Sequence, residues 1–121
     1  MKKQLILIAD DEPAMLKLYA GMFSGTGYSV TMAASVAEAR GLIEANDYDL
    51  LVADLVFPDG RGTELVKLFA KKRAGAKSLL VTGSVFAKKE LAGVEIYECL
   101  HKPFKAAHFM STVKEALGGE D

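Results

Sequence analysis

The sequence is poor in the residues that build disulfides and zinc sites, with one cysteine, Cys99, and two histidines among 121 residues. A single cysteine excludes an internal disulfide, and the three side chains together are too few for a closed zinc site. The longest apolar run, residues 5–9, is far shorter than the roughly 20 residues that cross a bilayer. We therefore expect a reduced, cytoplasmic protein with no membrane partner.

The chain also lacks an excess of charge of either sign, with 15 Lys and Arg residues against 16 Asp and Glu residues. Direct binding of nucleic acid is not expected, because the phosphate backbone attracts proteins with a basic excess. Three residues are proline, whereas 50% are apolar and 26% are charged, which excludes disordered and collagen-like chains. The length suits one globular domain, which we assign to residues 1–118, with residues 119–121 as a polar tail.

Five short runs are apolar at successive positions, a pattern typical of strands that are covered on both faces. Stretches with helical periodicity separate them. Strands that alternate with helices predict an α/β fold with a parallel sheet and helices on both faces. Five such units suit the flavodoxin-like, doubly wound strand order 2-1-3-4-5. The runs are residues 5–9, 28–33, 50–53, 79–81 and 96–100.

The helical stretches have recognisable apolar faces and ends. The second opens with a capping box, in which Ser35 and Glu38 would satisfy each other's free amide groups. Two more helices are predicted at 63–72 and 106–117, and a short one is expected within 84–94. The first helix carries a stripe predicted to face the core, which comprises Met15, Leu18, Tyr19, Met22 and Phe23.

Polar side chains follow the predicted strands at the point where the sheet order reverses, which is where open α/β sheets bind ligands. Asp10 and Asp11 follow the first strand, and Asp54 follows the third. Thr82 and Lys102 follow the fourth and fifth strands, so a hydroxyl and an ammonium group face the carboxylates. Carboxylates about 4 Å apart repel by about 4 kcal/mol per pair at an effective dielectric of 20, so a positive charge is required.

Mg²⁺ is the natural source of that charge, because it prefers oxygen ligands and keeps water and phosphate oxygens in its shell. Lys102 would supply a second positive charge. Together with the Thr82 hydroxyl and the backbone amides of Val56 and Gly83, it would surround a phosphoryl group on a carboxylate. The sequence thus predicts phosphorylation of Asp54.

Four separated motifs, taken in order, resemble the receiver domains of two-component response regulators, and the resemblance covers nearly the whole chain. It implies that Asp54 is the phosphoacceptor and that Thr82 and Lys102 contact the phosphoryl oxygens. It also implies a cis peptide bond between Lys102 and Pro103. The motifs are Asp10-Asp11, Asp54 with the following Pro58-Asp59-Gly60, Thr82-Gly83, and Lys102-Pro103-Phe104.

The resemblance further implies a metal, a phosphodonor and a mode of action. Mg²⁺ would be coordinated by Asp11, Asp54 and the backbone carbonyl of Val56. Asp10 would act mainly through metal-bound water. The phosphoryl group would come from a phosphohistidine of a sensor histidine kinase or a histidine phosphotransfer protein. Such a domain is a non-enzymatic switch that assists its own phosphorylation and dephosphorylation.

The sequence departs from the family pattern in the predicted output region. Cys99 lies three positions before Lys102, where the family commonly has an aromatic switch residue. The interval from Thr82 to Lys102 is also slightly shorter than the common form. The cognate kinase, the signal and the effector stay open, as does the choice between a stand-alone regulator and a domain of a longer regulator or hybrid kinase.

Two other functions fit the same residues less well. A small aspartyl-phosphate phosphatase would need an acid/base carboxylate two positions after Asp54, where Val56 is apolar. A phosphorylation-independent interaction module is disfavoured because all the site residues are intact. Leu16, off the inward stripe, could dock a kinase or phosphotransfer helix or be an ordinary exposed leucine. Cys99 and His101 are interpreted as structural, because two ligands do not make a metal site.

Overall fold

Five parallel strands form the central sheet of the computed structural model, which describes residues 3–84 and 87–119. In chain order the strands are β1 Leu5–Ala9, β2 Ser29–Ala33, β3 Leu50–Asp54, β4 Val56–Phe57, β5 Gly60–Arg61, β6 Lys77–Thr82 and β7 Glu98–His101. The sheet order is β2-β1-β3-β6-β7, and all four neighbouring pairs are parallel. Since β4 and β5 form a separate sheet, this is the predicted order 2-1-3-4-5, and the α/β prediction is confirmed.

Helices connect the strands at the predicted places. They are α1 Pro13–Phe23, α2 Val36–Ala45, α3 Gly62–Lys72, α4 Ala87–Glu90 and α5 Ala106–Ala116. The short helix expected within 84–94 is α4, and residues 85 and 86 of that stretch lie outside the described residues. None of the helices in the described ranges has the length and hydropathy that a membrane span requires.

The start of α2 follows the predicted capping box in part. The Oγ of Ser35 accepts a hydrogen bond from the N–H of Glu38 at 3.0 Å. The Glu38 carboxylate, however, accepts from the N–H of Ala34 at 2.6 Å rather than from that of Ser35. The hydrogen bond to the Glu38 carboxylate therefore comes from one residue earlier than the capping-box spacing predicts. The helix still begins at Val36.

The residues of β1 alternate between two hydrophobic cores, which explains why the run is apolar without interruption. Leu7 and Ala9 lie in the core formed with α2 and α3. Ile6 and Ile8 lie in the core formed with α1 and α5. All four side chains are fully buried. The sheet is thus covered by helices on both faces, as predicted.

The inward face of α1 differs from the predicted stripe at one position on each side: Leu16 joins it and Leu18 does not. Tyr19 and Phe23 are buried as expected, and the ring centroid of Tyr19 lies 5.4 Å from that of Phe109 on α5. Leu18 was predicted to be inward, but it is 50% exposed, because this side of α1 borders a shallow depression against the loop after β7. Leu16, predicted to lie outside the stripe, is partly buried and packs against the core.

An antiparallel hairpin of β4 and β5 follows β3, and the sequence did not predict it. Val56 pairs with Arg61, and Phe57 pairs with Gly60. Strands of two residues are too short to produce a recognisable hydrophobic period. Phe57 is buried, whereas Val56 is 46% exposed. The hairpin brings the first residue of α3, Gly62, back to the end of β3.

Candidate functional site

Four strands end at the same edge of the sheet and bring the predicted site residues together. Asp54 is the last residue of β3, beside β6. Thr82 is the last residue of β6 and pairs with His101 at the end of β7. Asp10 and Lys102 are the next residues after β1 and β7. The parallel register therefore places two carboxylates, a hydroxyl and an ammonium group at one edge, as the sequence predicted.

The ammonium group of Lys102 lies among three carboxylates. Its Nζ is 3.2 Å from Oδ2 of Asp10, 3.2 Å from Oδ2 of Asp54 and 3.5 Å from Oε1 of Glu12. The side chain of Asp10 is fully buried, and that of Asp54 is 11% exposed. One carboxylate oxygen from each of the three acidic residues lies within 4.8 Å of the others. Such a set of hard oxygen donors could hold a divalent cation.

The electrostatics of this edge follow from burial and close pairing. Burial raises the pKa of Asp10, although the N–H of Glu12, 2.9 Å from Oδ1, and the charge of Lys102 both act against that rise. Burial alone would lower the pKa of Lys102. The charges of Asp10 and Asp54 outweigh that effect, so the pKa of Lys102 is raised. Lys102 therefore stays charged and offsets the repulsion between the carboxylates.

Both oxygens of Asp54 are held in place. Oδ1 accepts a hydrogen bond from the N–H of Leu55 at 2.8 Å, while Oδ2 faces Lys102. Behind the carboxylate, the first turn of α3 packs directly against the backbone of β3. A Cβ at Gly62 would overlap the carbonyl oxygen of Asp54, so this position accepts glycine alone without a backbone shift. Gly62 was not predicted from the sequence, because a glycine at the start of a helix does not indicate which distant backbone atoms lie close to it.

Thr82 lies on the other side of Asp54, at the end of β6, and is buried. Its Oγ1 accepts a hydrogen bond from the N–H of Ser84 at 2.9 Å, and its carbonyl oxygen accepts from the N–H of Lys102 at 2.8 Å. Among the described residues, a Cβ at Gly83 would meet no atom within 4 Å. The strand end thus places a hydroxyl and the backbone of Gly83 at the edge.

Two of the predicted metal ligands lie outside the carboxylate cluster that the structure forms. Asp11 is partly buried in the loop between Asp10 and Glu12, and the cluster contains Glu12 in its place. Val56 begins the hairpin after Asp54. Glu12 was not among the predicted site residues, because an acidic residue before a helix is equally typical of a helix cap.

The hairpin that follows Asp54 is tied to α2 by a carboxylate. The two oxygens of Asp59 accept hydrogen bonds from the N–H groups of Val36 and Ala37, both at 3.0 Å. These backbone hydrogen bonds lower the pKa of Asp59. Because the two amides are the first of α2, they would otherwise have no partner within the helix.

Cys99 and His101 lie two apart on β7 but differ in exposure. Cys99 is partly buried against the core that includes Leu91 and Ile96, and His101 is exposed. Burial, with the nearby charge of Glu98, raises the pKa of the Cys99 thiol. Within residues 3–84 and 87–119, neither side chain joins a group of three metal-binding residues.

Comparisons with known proteins agree with this geometry. The model of the response regulator receiver domain matches residues 6–114. The chain is 31% identical over 121 residues to the sensor kinase CckA of Brucella abortus (strain 2308), covering 96% of this chain and 13% of CckA. It is 31% identical over 106 residues to the photosynthetic apparatus regulatory protein RegA of Cereibacter sphaeroides, covering 86% of this chain and 57% of RegA. The chain therefore spans a part of the length of these curated relatives.

Solved structures share the fold over nearly their whole length. A response regulator receiver domain protein (CheY-like) from Methanospirillum hungatei JF-1 has a TM-score of 0.89 at 30% identity, covering 97% of this chain and 95% of that chain. The response regulator protein TrrA from Thermotoga maritima, in complex with Mg²⁺-BeF, has a TM-score of 0.84 at 27% identity. That match covers 93% of this chain and 98% of the TrrA chain.

Proposed function

The chain belongs to the response regulator receiver domain family, and from this premise we propose that it is a phosphorylation-dependent switch whose phosphoacceptor is Asp54. One observation carries the proposal. Asp54 ends β3 with Oδ1 on a backbone N–H and Oδ2 3.2 Å from the ammonium of Lys102, at an edge that also holds Asp10 and Thr82. A carboxylate fixed in this way is oriented for attack on an activated phosphorus atom.

The proposed reaction is phosphoryl transfer from a phosphohistidine. An oxygen of Asp54 attacks the phosphorus atom, the new P–O bond forms, and the P–N bond to the imidazole breaks. The imidazole leaves with the electron pair of that bond and takes up a proton. Lys102 and the Thr82 hydroxyl would contact the phosphoryl oxygens, and the ammonium charge would offset the charge on the transferring group.

Mg²⁺ is the proposed metal, since the donors at this edge are carboxylate oxygens. Asp11, Asp54 and the backbone carbonyl of Val56 would coordinate it, and Asp10 would contact it through water. When bound, the cation supplies positive charge against the carboxylates and the incoming phosphoryl group. The TrrA structure, which contains Mg²⁺-BeF, supports this proposal by similarity.

The proposed partner is a sensor histidine kinase or a histidine phosphotransfer protein. Relatives named as a sensor kinase and as regulatory proteins support a partner of this class. The proposed compartment is the cytoplasm, where the single thiol of Cys99 stays reduced. The downstream effector is left unassigned.

A switch is favoured over a phosphatase by the residue two positions after Asp54. Val56 is 46% exposed beside the site, and its side chain can neither donate nor accept a proton. This position therefore offers no side chain that could act as an acid or base in hydrolysis. We propose a domain that takes up one phosphoryl group and holds it, rather than an enzyme that turns over phosphate esters.

The test is the intact mass of the protein after incubation with acetyl phosphate and Mg²⁺. We expect one addition of about 80 Da in the parent and none in Asp54→Asn. Asp47→Asn is the matched control, because its side chain is 83% exposed and lies away from this edge. Equal labelling of Asp54→Asn would contradict the assignment of the acceptor, and a parent that gains no phosphate would contradict the proposed function.

A further inference from the structure

Glu12 lies at the start of a helix, where a negative charge is favourable, but its carboxylate does not cap that helix. It is the N-cap residue of α1, and its side chain makes no capping hydrogen bond. Its backbone carbonyl begins the helix by accepting from Met15 and Leu16 at 3.0 and 3.1 Å. The carboxylate is turned the other way, toward Nζ of Lys102 at 3.5 Å. The described contact of this carboxylate is therefore with Lys102 and not with the amides of α1.

The three carboxylates around Lys102 differ in burial. Asp10 is fully buried and Asp54 is 11% exposed, whereas Glu12 is 60% exposed. The ammonium group therefore has its two inner partners on the sheet side and Glu12 on the solvent side. Glu12 is thus the partner of Lys102 that is most open to solvent, from which a phosphodonor must approach.

The two inner carboxylates are also the ones needed for other roles. Under the proposed function, Asp54 attacks phosphorus, and both inner carboxylates face the metal. With Asp10 and Asp54 so engaged, Glu12 is the one of the three partners that Lys102 retains. Burial therefore distinguishes Glu12 from the two inner carboxylates.

We propose that Glu12 is a positioning residue, which holds the ammonium group of Lys102 at the entrance of the site while Asp54 accepts a phosphoryl group. The inference rests on the proposed function. It differs from two alternatives, in which Glu12 stabilises the start of α1 or coordinates the metal directly. In both of these, removing the Glu12 charge would act without moving Lys102.

The test compares the parent with Glu12→Gln, a change that keeps the shape of the side chain and removes its charge. The matched control is Glu115→Gln, which makes the same charge change at an exposed position on α5. At saturating Mg²⁺ we expect phosphorylation by acetyl phosphate to slow about two- to five-fold in Glu12→Gln, the range that an exposed ion pair supports. The control is expected to keep the parent rate.

A second measurement reports on Lys102 itself. With nitrogen-15 on the lysine side chains, and the signal assigned through Lys102→Arg, the Nζ resonance of Lys102 is expected to shift in Glu12→Gln and to stay in place in Glu115→Gln. The Mg²⁺ dissociation constant is measured for both variants. It is expected to change far less than the rate in Glu12→Gln.

Every other pattern overturns the inference. Slower phosphorylation without a shift of the Lys102 resonance means that Glu12 acts by another route, and a shift at an unchanged rate means that the contact has no part in the reaction. A Mg²⁺ dissociation constant that rises as much as the rate falls identifies Glu12 as a metal ligand. A parent that gains no phosphate defeats the proposed function as well, whereas the other outcomes leave that function standing.

Discussion

The strand-end edge that holds Asp54 and Lys102 is supported by different kinds of contact on its two sides. On the β3 side, side chains and backbone lock the hairpin β4–β5 to its neighbours. Asp59 accepts from the first two amides of α2, and Glu64 on α3 accepts from the N–H of Arg61 at 2.8 Å. Gly62 lets α3 touch the backbone of Asp54. These contacts leave the hairpin residues that follow Asp54 little freedom to shift.

On the β7 side, one of the described contacts joins exposed side chains. β7 is an edge strand of the sheet, and α4 has four residues. An ion pair of 3.5 Å joins Glu90 of α4 to Arg61 of the hairpin, with side chains 36% and 51% exposed. Exposed pairs contribute about 0–1 kcal/mol. We therefore expect a change at Asp54 to meet less resistance toward β7 and α4 than toward the hairpin.

The largest expected effect comes from breaking the locked side at Gly62. We expect Gly62→Ala to lower the free energy of unfolding by about 3 kcal/mol, because the new Cβ would overlap the backbone of Asp54. Phosphorylation should be lost in the folded fraction, since the acceptor backbone must move. Urea unfolding and intact mass check both. Gly41→Ala on α2, where a Cβ meets nothing within 4 Å, is the control and should gain about 0.5–1 kcal/mol.

The next effect tests the opposing electrostatics of two carboxylates in metal-free buffer. Burial raises the pKa of Asp10 in the folded protein above 3.8. The stability gained from the protonated Asp10 side chain is therefore fully present below pH 3.8 and is lost as pH rises through the folded-state pKa. Asp10→Asn removes the buried charge while Lys102 keeps Asp54 and Glu12 as partners, so the free energy of unfolding at neutral pH should rise by about 1 kcal/mol. The gain should vanish on acidification.

Asp59 is expected to show the opposite pH dependence from Asp10, because the α2 amides lower its pKa. The stability gained from the charged Asp59 carboxylate is fully present above pH 3.8 and is lost as pH falls through the folded-state pKa. Asp59→Asn should therefore destabilise the protein at neutral pH, and the difference from the parent should shrink in acid. Unfolding curves at several pH values measure both variants. Shifts of the same sign at neutral pH would contradict the contrast between the buried and the capping carboxylate.

The sequence predicted the parts of the site that depend on where strands end. Asp10, Asp54, Thr82 and Lys102 each follow an apolar run, and the strand order alone brings such residues to one edge. The cis bond between Lys102 and Pro103, which the family resemblance implied, is also present. Local pattern and topology were therefore enough to predict that these four residues lie at one edge.

The features that the sequence did not predict depend on directions and close approaches in space. Glu12 could cap α1 or face Lys102, and its spacing is the same in both cases. Gly62 is required by a contact with Asp54, eight positions earlier in the chain. Leu18 fits the helical period but is 50% exposed beside the loop after β7, whereas Leu16 packs against the core, because periodicity does not fix how a helix is turned about its axis.

The smallest effect concerns the ion pair between Arg61 and Glu90. We expect Arg61→Gln to change the free energy of unfolding by less than about 0.5 kcal/mol, because the pair is exposed and screened by salt. Its local effect should be visible in amide exchange after α4, where the N–H groups of Ala92 and Val94 donate to Lys89 and Leu91. Those two amides should exchange faster in the variant at low salt and at the parent rate in high salt.

Arg40→Gln is the matched control for that experiment, since it removes a similar exposed ion pair of 3.6 Å that joins α2 to Glu64 on the locked side. Because Asp59 and Gly62 hold that side independently, the amide of Asn46 at the end of α2 should keep its exchange rate. Faster exchange at Asn46 in Arg40→Gln, with no change at Val94 in Arg61→Gln, would reverse the contrast. The adjustable region would then lie beside α2, and the conformational response to phosphorylation would be expected there instead of at β7.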